Sequence, residues 1–477
     1  MGQKSVKKNF LYNIVYQVFA IVLPLITTPY IARIIGPEGS GVNSYTYSIA
    51  NYFVIFALLG IANYGNRLIA QNRDNKEKLN YEFTSLFILH VIISLIVLAM
   101  YLIFVFFIAN NYKIYFIVQG LFVISALFDI SWLFFGLEEF KTTVVRNIVI
   151  RLIALILIFT FVKSATDLIK YIIILQGSTL LSQLVLFPFL KKNKIKFVKV
   201  RREDVLKHFK PMLILFIPVI AVSIYKMMDK VMLGYMVDVK EVGLYEYGER
   251  IINLPMTLIT ALGTVMLPRM SNLVAKGDDE TFKLYISKSI KFALFMSMPL
   301  CIGLIIVAND FIPFFLGDAY NKTIIIVQIL AVTIPIISFA NVLRTQYLLP
   351  KSMDKEFILS LSLGAIVNLV FNIILINKYN SIGACISTVL AELVVMVYQS
   401  IMISKKMNTF TYVKTALEFL SKAFAMGIVV WIFCNIMKIN IIIKIILEVI
   451  IGVFIYFILN IKYIFRDLLK SHRRSNV

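Results

Sequence analysis

The sequence carries little charge for its length, and most of that charge is positive. Only 16% of its 477 residues are charged, whereas about a quarter of the residues are charged in a typical soluble protein. Hydrophobic residues make up 60% of the chain. Because so few side chains favour water, most of the chain cannot face it. A soluble enzyme with one large core is therefore excluded.

Cysteine and histidine are also scarce, with three residues of each. Cys301, Cys385 and Cys434 lie in separate apolar runs, and the histidines show no zinc-ligand spacing. The glycine-rich stretch at residues 36–41, GPEGSG, lacks the lysine of a P-loop and is better interpreted as a tight turn. No catalytic triad is recognisable. The sequence predicts neither enzyme activity nor a metal or other cofactor.

The net charge of +22 raises the question of nucleic-acid binding. The lysines and arginines, however, cluster in short segments between apolar runs, a pattern typical of the cytoplasmic loops of membrane proteins. No module that reads a nucleic-acid groove is recognisable, so we expect no nucleic-acid partner.

Long apolar runs dominate the sequence. A membrane-spanning helix needs about 20 mostly apolar residues, and this criterion predicts an all-α integral membrane protein with about fourteen transmembrane helices. The predicted spans are residues 10–35, 42–62, 82–108, 114–137, 143–162, 168–190, 211–236, 242–267, 285–307, 323–349, 357–377, 382–403, 413–437 and 440–462.

Basic residues are concentrated in alternate loops. Segments 66–78 and 191–210 and the C-terminal tail are rich in them, whereas the connections at 36–41 and 109–113 have one or none. Basic loops stay in the cytoplasm, so both termini are predicted to be cytoplasmic. The longest basic loop also suggests a division of the chain. The predicted parts are an N-terminal six-helix lobe (1–190), a basic cytoplasmic loop (191–210), a C-terminal six-helix lobe (211–403), and a terminal helix pair with a basic tail (404–477).

Predicted span seven contains three charged residues, Lys226, Asp229 and Lys230. Their i, i+3, i+4 spacing places them on one side of a helix. Each charge at the centre of a span costs roughly 2.5–3.5 kcal/mol, so we expect the group to face protein or water. Two interpretations stay open at this point. The charges pair between helices and fix packing, or they form a cationic surface for an anionic substrate such as a phosphate.

Further charged candidates lie in other predicted spans. Arg33 lies near the outer end of span one and Arg344 near the inner end of span ten, and both are candidate substrate-binding cations. Asp129 in span four and Glu392 in span twelve are, with Asp229, candidates for ion coupling or charge pairing.

Four stretches, in chain order, resemble one known family. They are LPLITTPYIARIIGPEGSGVNSY, LLGIANYGNRLIAQNRD, FDISWLFFGLEEFKTTVVRNIVIRLI and DKVMLGYMVDVKEVGLYEYGERI. They are similar to stretches of the Wzx-type oligosaccharide flippases, which belong to the multidrug/oligosaccharidyl-lipid/polysaccharide exporter superfamily. The matching residues of the fourth-span and seventh-to-eighth-span signatures are Asp129, Trp132, Gly136, Glu138, Asp229, Lys230, Gly243 and Tyr245.

The resemblance implies a MATE-like fold, with two six-helix bundles around a central cavity and a C-terminal helix pair. It implies a flippase that moves an undecaprenyl-diphosphate-linked oligosaccharide repeat unit from the inner to the outer leaflet of the bacterial plasma membrane. Alternating access with a cationic cavity is the mechanism we expect. Membrane lipids, a polysaccharide polymerase and glycosyltransferases are the implied partners. Three alternatives stay open: an ion-coupled multidrug exporter, a lipid II flippase of the same superfamily, and a membrane scaffold for polymer assembly.

Overall fold

The computed structural model describes residues 6–404, 406–436 and 439–464, and this part of the chain is helical without a strand. The first ten helices are α1 (Val6–Leu58), α2 (Ile61–Asn72), α3 (Lys76–Ile103), α4 (Lys113–Leu127), α5 (Ser131–Gly136), α6 (Phe140–Phe161), α7 (Leu168–Leu184), α8 (Phe187–Lys192), α9 (Arg202–Leu206) and α10 (Phe209–Met236). The others are α11 (Val239–Lys276), α12 (Asp279–Leu316), α13 (Lys322–Ala331), α14 (Thr333–Leu343), α15 (Asp354–Tyr379), α16 (Ser381–Ser404), α17 (Tyr412–Ile436), α18 (Ile441–Leu459) and α19 (Ile461–Tyr463). The predicted basic tail from residue 465 onward lies outside the described residues.

The prediction of an all-α membrane protein is confirmed, whereas the number of fourteen spans is approximate. Among the described residues, eleven helical segments are long and apolar enough to cross a membrane, and a bent pair within α11 raises the number to twelve. One source of the difference is the segment Val22–Asn72, which counts as one continuous piece of 51 residues. It covers most of the first two predicted spans, 10–35 and 42–62.

The break between these two predicted spans lies at a single residue. Gly36 has φ 72° and ψ 177°, outside the helical region and at a positive φ that favours glycine. Pro37 follows at the first position of the next helical segment, where its missing N–H has no helical partner to lose. The predicted turn at 36–41 is thus shorter than expected, because the chain is helical again directly after Gly36.

The chain forms two compact units, Met1–Gly234 and Tyr235–Val477. The first unit contains the basic segment 191–210 and nearly all of α10. The predicted lobes at 1–190 and 211–403 rest on loop charge, and that division stays a prediction.

Each unit leaves large apolar side chains on its surface. In the first unit, Ile96 and Ile156 are more than half exposed, and in the second unit the same holds for Leu417 and Phe454. Water does not tolerate apolar surfaces of this extent, whereas hydrocarbon does. The exposed apolar side chains therefore mark the surfaces that face lipid.

The short helix α5 packs closely on α2 through two glycines. A Cβ atom at Gly65 would lie 2.6 Å from the Trp132 ring, and one at Gly136 would lie 2.6 Å from Cβ of Ile69. The Trp132 indole N–H also donates to the carbonyl of Asp129 at 3.0 Å. The signature residues Trp132 and Gly136 therefore have a packing role within the first unit.

Gly383 lies at the start of α16, where this helix meets the end of α15. A Cβ atom there would overlap the carbonyl oxygen and carbonyl carbon of Leu375. Because these are backbone atoms, the two helices must separate to admit a methyl group. We expect Gly383→Ala to lower the free energy of unfolding by about 1–3 kcal/mol, as overpacking usually does. Thermal unfolding in detergent measures this effect.

Gly177→Ala is the matched control for this prediction. Gly177 lies within α7, and an added Cβ there would meet nothing within 4 Å. Its replacement should leave stability unchanged or slightly raised. Equal unfolding temperatures for the two variants would contradict the packing argument.

The basic segment 191–210 is attached to α3 by its backbone. The Lys196 N–H donates to Oδ1 of Asn80 at 3.1 Å, and the Val198 N–H donates to Oγ1 of Thr84 at 3.2 Å. The segment therefore has a defined path along α3, while most of its lysines and arginines are exposed.

Two basic segments meet at this end of the first unit. The Lys76 ammonium donates to the carbonyl of Asn193 at 3.1 Å, which joins segments 66–78 and 191–210. Both segments are predicted to lie on the cytoplasmic side. This contact agrees with the prediction that both segments lie on the same side of the membrane. That this side is the cytoplasm stays a prediction.

A buried histidine anchors the end of segment 191–210. His208 Nδ1 lies 2.9 Å from the Tyr64 hydroxyl, and Nε2 lies 2.8 Å from Oγ of Ser85. Glu82 Oε2 is 3.4 Å from the same Nε2 atom. Burial lowers the pKa of His208 to about 4, although the nearby Glu82 acts in the opposite direction.

Acid is expected to weaken the anchor at His208. The pKa of an unfolded histidine is about 6.5, which is above the folded value of about 4. Between these values the unfolded state binds more protons, so stability falls as the pH decreases through this window and levels off below it. A loss of about 3 kcal/mol is expected, since each pKa unit corresponds to about 1.36 kcal/mol. Thermal unfolding in detergent across this pH range should show the loss in the wild type and not in His208→Gln, and identical pH profiles would contradict it.

Candidate functional site

The three charges of predicted span seven lie on α10 and differ in burial. Asp229 is buried, with 4% of its surface exposed, Lys230 is half-buried, and Lys226 is exposed. The sequence spacing places all three on one side of the helix, and packing then separates the acid from the exposed lysine.

Contacts with α1 explain the orientation of α10. The Asn51 amide donates to the sulfur of Met227 at 2.9 Å, and Asp229 is close enough to Tyr52 to act on it electrostatically. Two turns beyond Met227, the Tyr45 ring covers Gly234 and leaves no room for a Cβ atom. The face of α10 that carries Met227 and Gly234 therefore packs against α1.

The position of Lys226 along α10 favours an aqueous surrounding for its ammonium group. Ten residues separate it from the end of the helix at Met236, a distance of about 15 Å along the axis. A lysine side chain reaches water by extending toward the nearer membrane surface, but this distance exceeds its length. An exposed lysine at this depth is costly against lipid, so we expect it to face a hydrated surface.

The other two candidates of the first unit lie elsewhere. Arg33 is exposed and precedes the break at Gly36 by three residues. Asp129 lies in the gap between α4 and α5, where its Oδ1 accepts the Ser131 N–H at 2.8 Å. It is also close enough to the buried His90 for an electrostatic interaction. Asp129 thus binds the backbone of the first residue of α5.

A buried arginine near Asp129 was missed by the sequence analysis. Arg146 of α6 is 8% exposed and donates to the carbonyl of Ser182 at 2.8 Å and to Oδ1 of Asn147 at 2.9 Å. Gln183 extends this polar group, because its Oε1 accepts from Arg146 at 3.4 Å and from Ser131 at 3.2 Å. Its position within predicted span 143–162 was the signal that could have identified it.

In the second unit, the structure brings Arg344 and Glu392 together. Arg344 begins a π-helical turn, Arg344–Leu348, which follows α14. Its Nη2 donates to Oδ1 of Asn341 at 2.6 Å, and Glu392 on α16 is close enough for an electrostatic interaction. The guanidinium also lies 5.9 Å from the centre of the Phe357 ring. Both charges are half-buried, so each lowers the cost of burying the other.

The described residues contain no group of three or more His, Cys, Asp and Glu side chains that could hold a metal ion. The charged groups so far described can bind an anion through Lys226 or Arg344, or carry a proton or cation on a carboxylate. None of them has the geometry of a nucleophile with its base.

The fold and these charges define a multi-pass helical membrane protein with the architecture of known exporters and flippases. The structure is similar to that of the lipid II flippase MurJ in an inward closed conformation, with a TM-score of 0.79, 17% identity, and coverage of 96% of this chain and 100% of that one. It is also similar to an inward-facing multidrug resistance MATE family transporter of the MOP superfamily, with a TM-score of 0.63, 14% identity, and coverage of 81% of this chain and 96% of that one.

The family assignment rests on sequence. The profile of the polysaccharide biosynthesis protein family matches residues 6–274, and the MatE profile matches residues 215–374. The first match covers more than half of the chain, so the chain belongs to the polysaccharide biosynthesis protein family. A protein of Escherichia coli (strain K12) named "Putative O-antigen transporter" is 24% identical over 395 residues, which are 82% of this chain and 95% of that protein.

Proposed function

We infer that the protein is a flippase for lipid-linked oligosaccharide repeat units used in surface polysaccharide biosynthesis. The observation that carries this inference is the family match over residues 6–274. The similarity to the Escherichia coli relative extends over 95% of that protein, so it includes more than a shared segment.

The finer parts of the proposal concern the substrate and its route. The repeat unit is linked to undecaprenyl diphosphate and moves from the inner to the outer leaflet of the bacterial plasma membrane, with both termini of the protein in the cytoplasm. Glycosyltransferases assemble the unit before this step, and a polymerase consumes it afterwards. The protein makes and breaks no bond, so the proposal does not make it an enzyme.

The proposed mechanism is alternating access with a cationic substrate site. Diphosphate oxygens accept charge-assisted hydrogen bonds from lysine and arginine. The proposed substrate-binding residues are Lys226, Lys230, Arg33 and Arg344. Lys226 is exposed although it lies ten residues inside the end of α10, and this supports a role in substrate binding. Asp129, Asp229 and Glu392 are the proposed ion-coupling or charge-pairing residues.

The second candidate function is lipid II transport, because the fold is similar to that of a lipid II flippase over 96% of this chain. Lipid II uses the same carrier and differs mainly in the head group. A multidrug exporter for organic cations is less favoured, since such substrates require an acidic site and the Lys226 to Lys230 segment is net basic.

Deletion of the gene followed by lipid analysis tests the proposed function. The expected result is accumulation of an undecaprenyl-linked oligosaccharide on the cytoplasmic leaflet, reversed by the wild-type gene. Accumulation of lipid II in its place would support the second candidate. Normal levels of both lipids in the deletion strain would contradict both.

A further inference from the structure

A buried carboxyl group lies inside α18, the last long helix described. Glu448 is 4% exposed, and Lys444 precedes it by one helical turn. The Lys444 ammonium forms an ion pair with Asp310 of α12, with 2.6 Å between Nζ and Oδ2. The Glu448 carboxyl lies within hydrogen-bonding reach of the same Asp310. The ammonium group thus pairs with Asp310, and the Glu448 carboxyl lies close to this pair within membrane-spanning segments.

The space beside Glu448 is apolar. A cavity of about 240 Å³ lies between α12, α17 and α18, with a wall that includes Leu300, Val307, Val453 and Phe457. Glu448 supplies the only carboxyl group among the residues that line it. Its Oε2 atom has no hydrogen-bond partner in the described part of the chain. A buried oxygen in this situation is costly unless a proton or a cation satisfies it.

The net charge of Glu448 and its neighbours indicates how the Glu448 oxygen is satisfied. Among the described residues, the titratable groups beside Glu448 are Asp310 from α12, Lys444 from its own helix and the Cys434 thiol from α17. With both acids ionised, the group carries a net charge of −1 among apolar side chains. Two carboxylates in one site rarely ionise together, because each raises the cost of the other. A proton on Glu448 removes the net charge and supplies an O–H that Asp310 can accept.

We propose that Glu448, Asp310 and Lys444 form a proton-binding site, in which Glu448 holds a proton at neutral pH. The proton is exchanged with water and no other bond changes. Residues 444 and 448 lie in the predicted span 440–462, which contains none of the residues that the sequence predicted for ion coupling. If the proposed function holds, this site is where a proton gradient acts on transport.

Labelling with a hydrophobic carbodiimide tests proton binding without any transport measurement. The reagent modifies protonated carboxyl groups in apolar surroundings, and peptide mass spectrometry locates the adduct. The expected result is an adduct on Glu448 at neutral pH that decreases at alkaline pH and is absent in Glu448→Gln. Glu418 is the internal control, because it is exposed and pairs with Lys422 at 2.7 Å, so it should remain unlabelled.

Two results would overturn the proton site. One is the absence of an adduct on wild-type Glu448, or labelling no stronger than that of Glu418. The other is protection by sodium at constant pH and ionic strength, which would assign the site to a metal cation. Both measurements use the wild-type protein, so they do not depend on the folding of a variant.

Transport in proteoliposomes tests the coupling role separately. Glu448→Gln resembles the protonated side chain, so this variant should fold and transport substrate, while stimulation by an imposed pH gradient should be lost. Glu418→Gln should respond as the wild type does. Equal stimulation of Glu448→Gln and wild type would overturn the coupling role. Absence of transport in the wild type would instead overturn the proposed function, and the labelling result would still stand.

Discussion

Replacing Arg344 by alanine is expected to lower the free energy of unfolding by about 1.5–3 kcal/mol, the usual contribution of a hydrogen bond made by a charged group. Arg344 is half-buried, donates to Asn341 at 2.6 Å and interacts electrostatically with Glu392. Its removal takes away the donor to the buried Asn341 and a cation near Glu392. Thermal and denaturant unfolding in detergent measure the loss.

A double variant separates pairing from substrate binding. Arg344→Gln combined with Glu392→Gln removes both charges and keeps an amide that can donate to Asn341, so stability should partly recover relative to Arg344→Ala. If Arg344 also binds substrate, transport should stay low in this stable double variant. The pair of the exposed Glu418 and the partly exposed Lys422 is the control, since its loss should cost less than about 1 kcal/mol. A loss no larger for Arg344→Ala than for Lys422→Ala would contradict the pairing.

Replacing Lys226 by alanine is expected to slow transport by about tenfold to a hundredfold. A hydrogen bond to a charged group contributes about 1.5–3 kcal/mol, and each 1.36 kcal/mol changes a rate tenfold. Lys226 is exposed and forms no hydrogen bond or ion pair within the described residues, so its removal should leave stability unchanged. The transport rate and the unfolding temperature of the same preparation test both statements.

Lys210→Ala is the matched control for Lys226. Lys210 is also an exposed lysine of α10, but it lies in the first turn of the helix and before predicted span seven. Its replacement should not affect transport, and Lys226→Arg should retain part of the wild-type rate. Equal transport by Lys226→Ala and Lys210→Ala would remove Lys226 from the substrate site.

The helices were predictable from sequence because apolar length alone defines a membrane span. Predicted span 357–377, for example, lies within helix Asp354–Tyr379, and span 382–403 lies within Ser381–Ser404. The interruptions within spans were not predictable. The gap at Asp129 lies in a continuous apolar run, and α5 is positioned by the contact of Trp132 with Gly65, which joins distant parts of the chain.

The candidate charges were visible in the sequence, but their partners were not. Arg344 and Glu392 were each selected as charges within a span, and only the fold brings them together. Lys444 and Glu448 were overlooked although they lie four residues apart in predicted span 440–462. Their significance depends on Asp310, which is more than a hundred residues away in the chain. In the sequence, Asp310 follows predicted span 285–307 and has the appearance of an ordinary polar residue at the end of a helix.

Reconstitution of the purified protein with a diphosphate-linked oligosaccharide lipid tests the central claim most directly. The measured quantity is the fraction of labelled lipid that becomes accessible on the opposite leaflet of the vesicles over time. We expect wild-type vesicles to translocate the lipid, Lys226→Ala vesicles to do so at least about tenfold more slowly, and protein-free vesicles not to translocate it. Equal rates in wild-type and protein-free vesicles would contradict the assignment as a flippase.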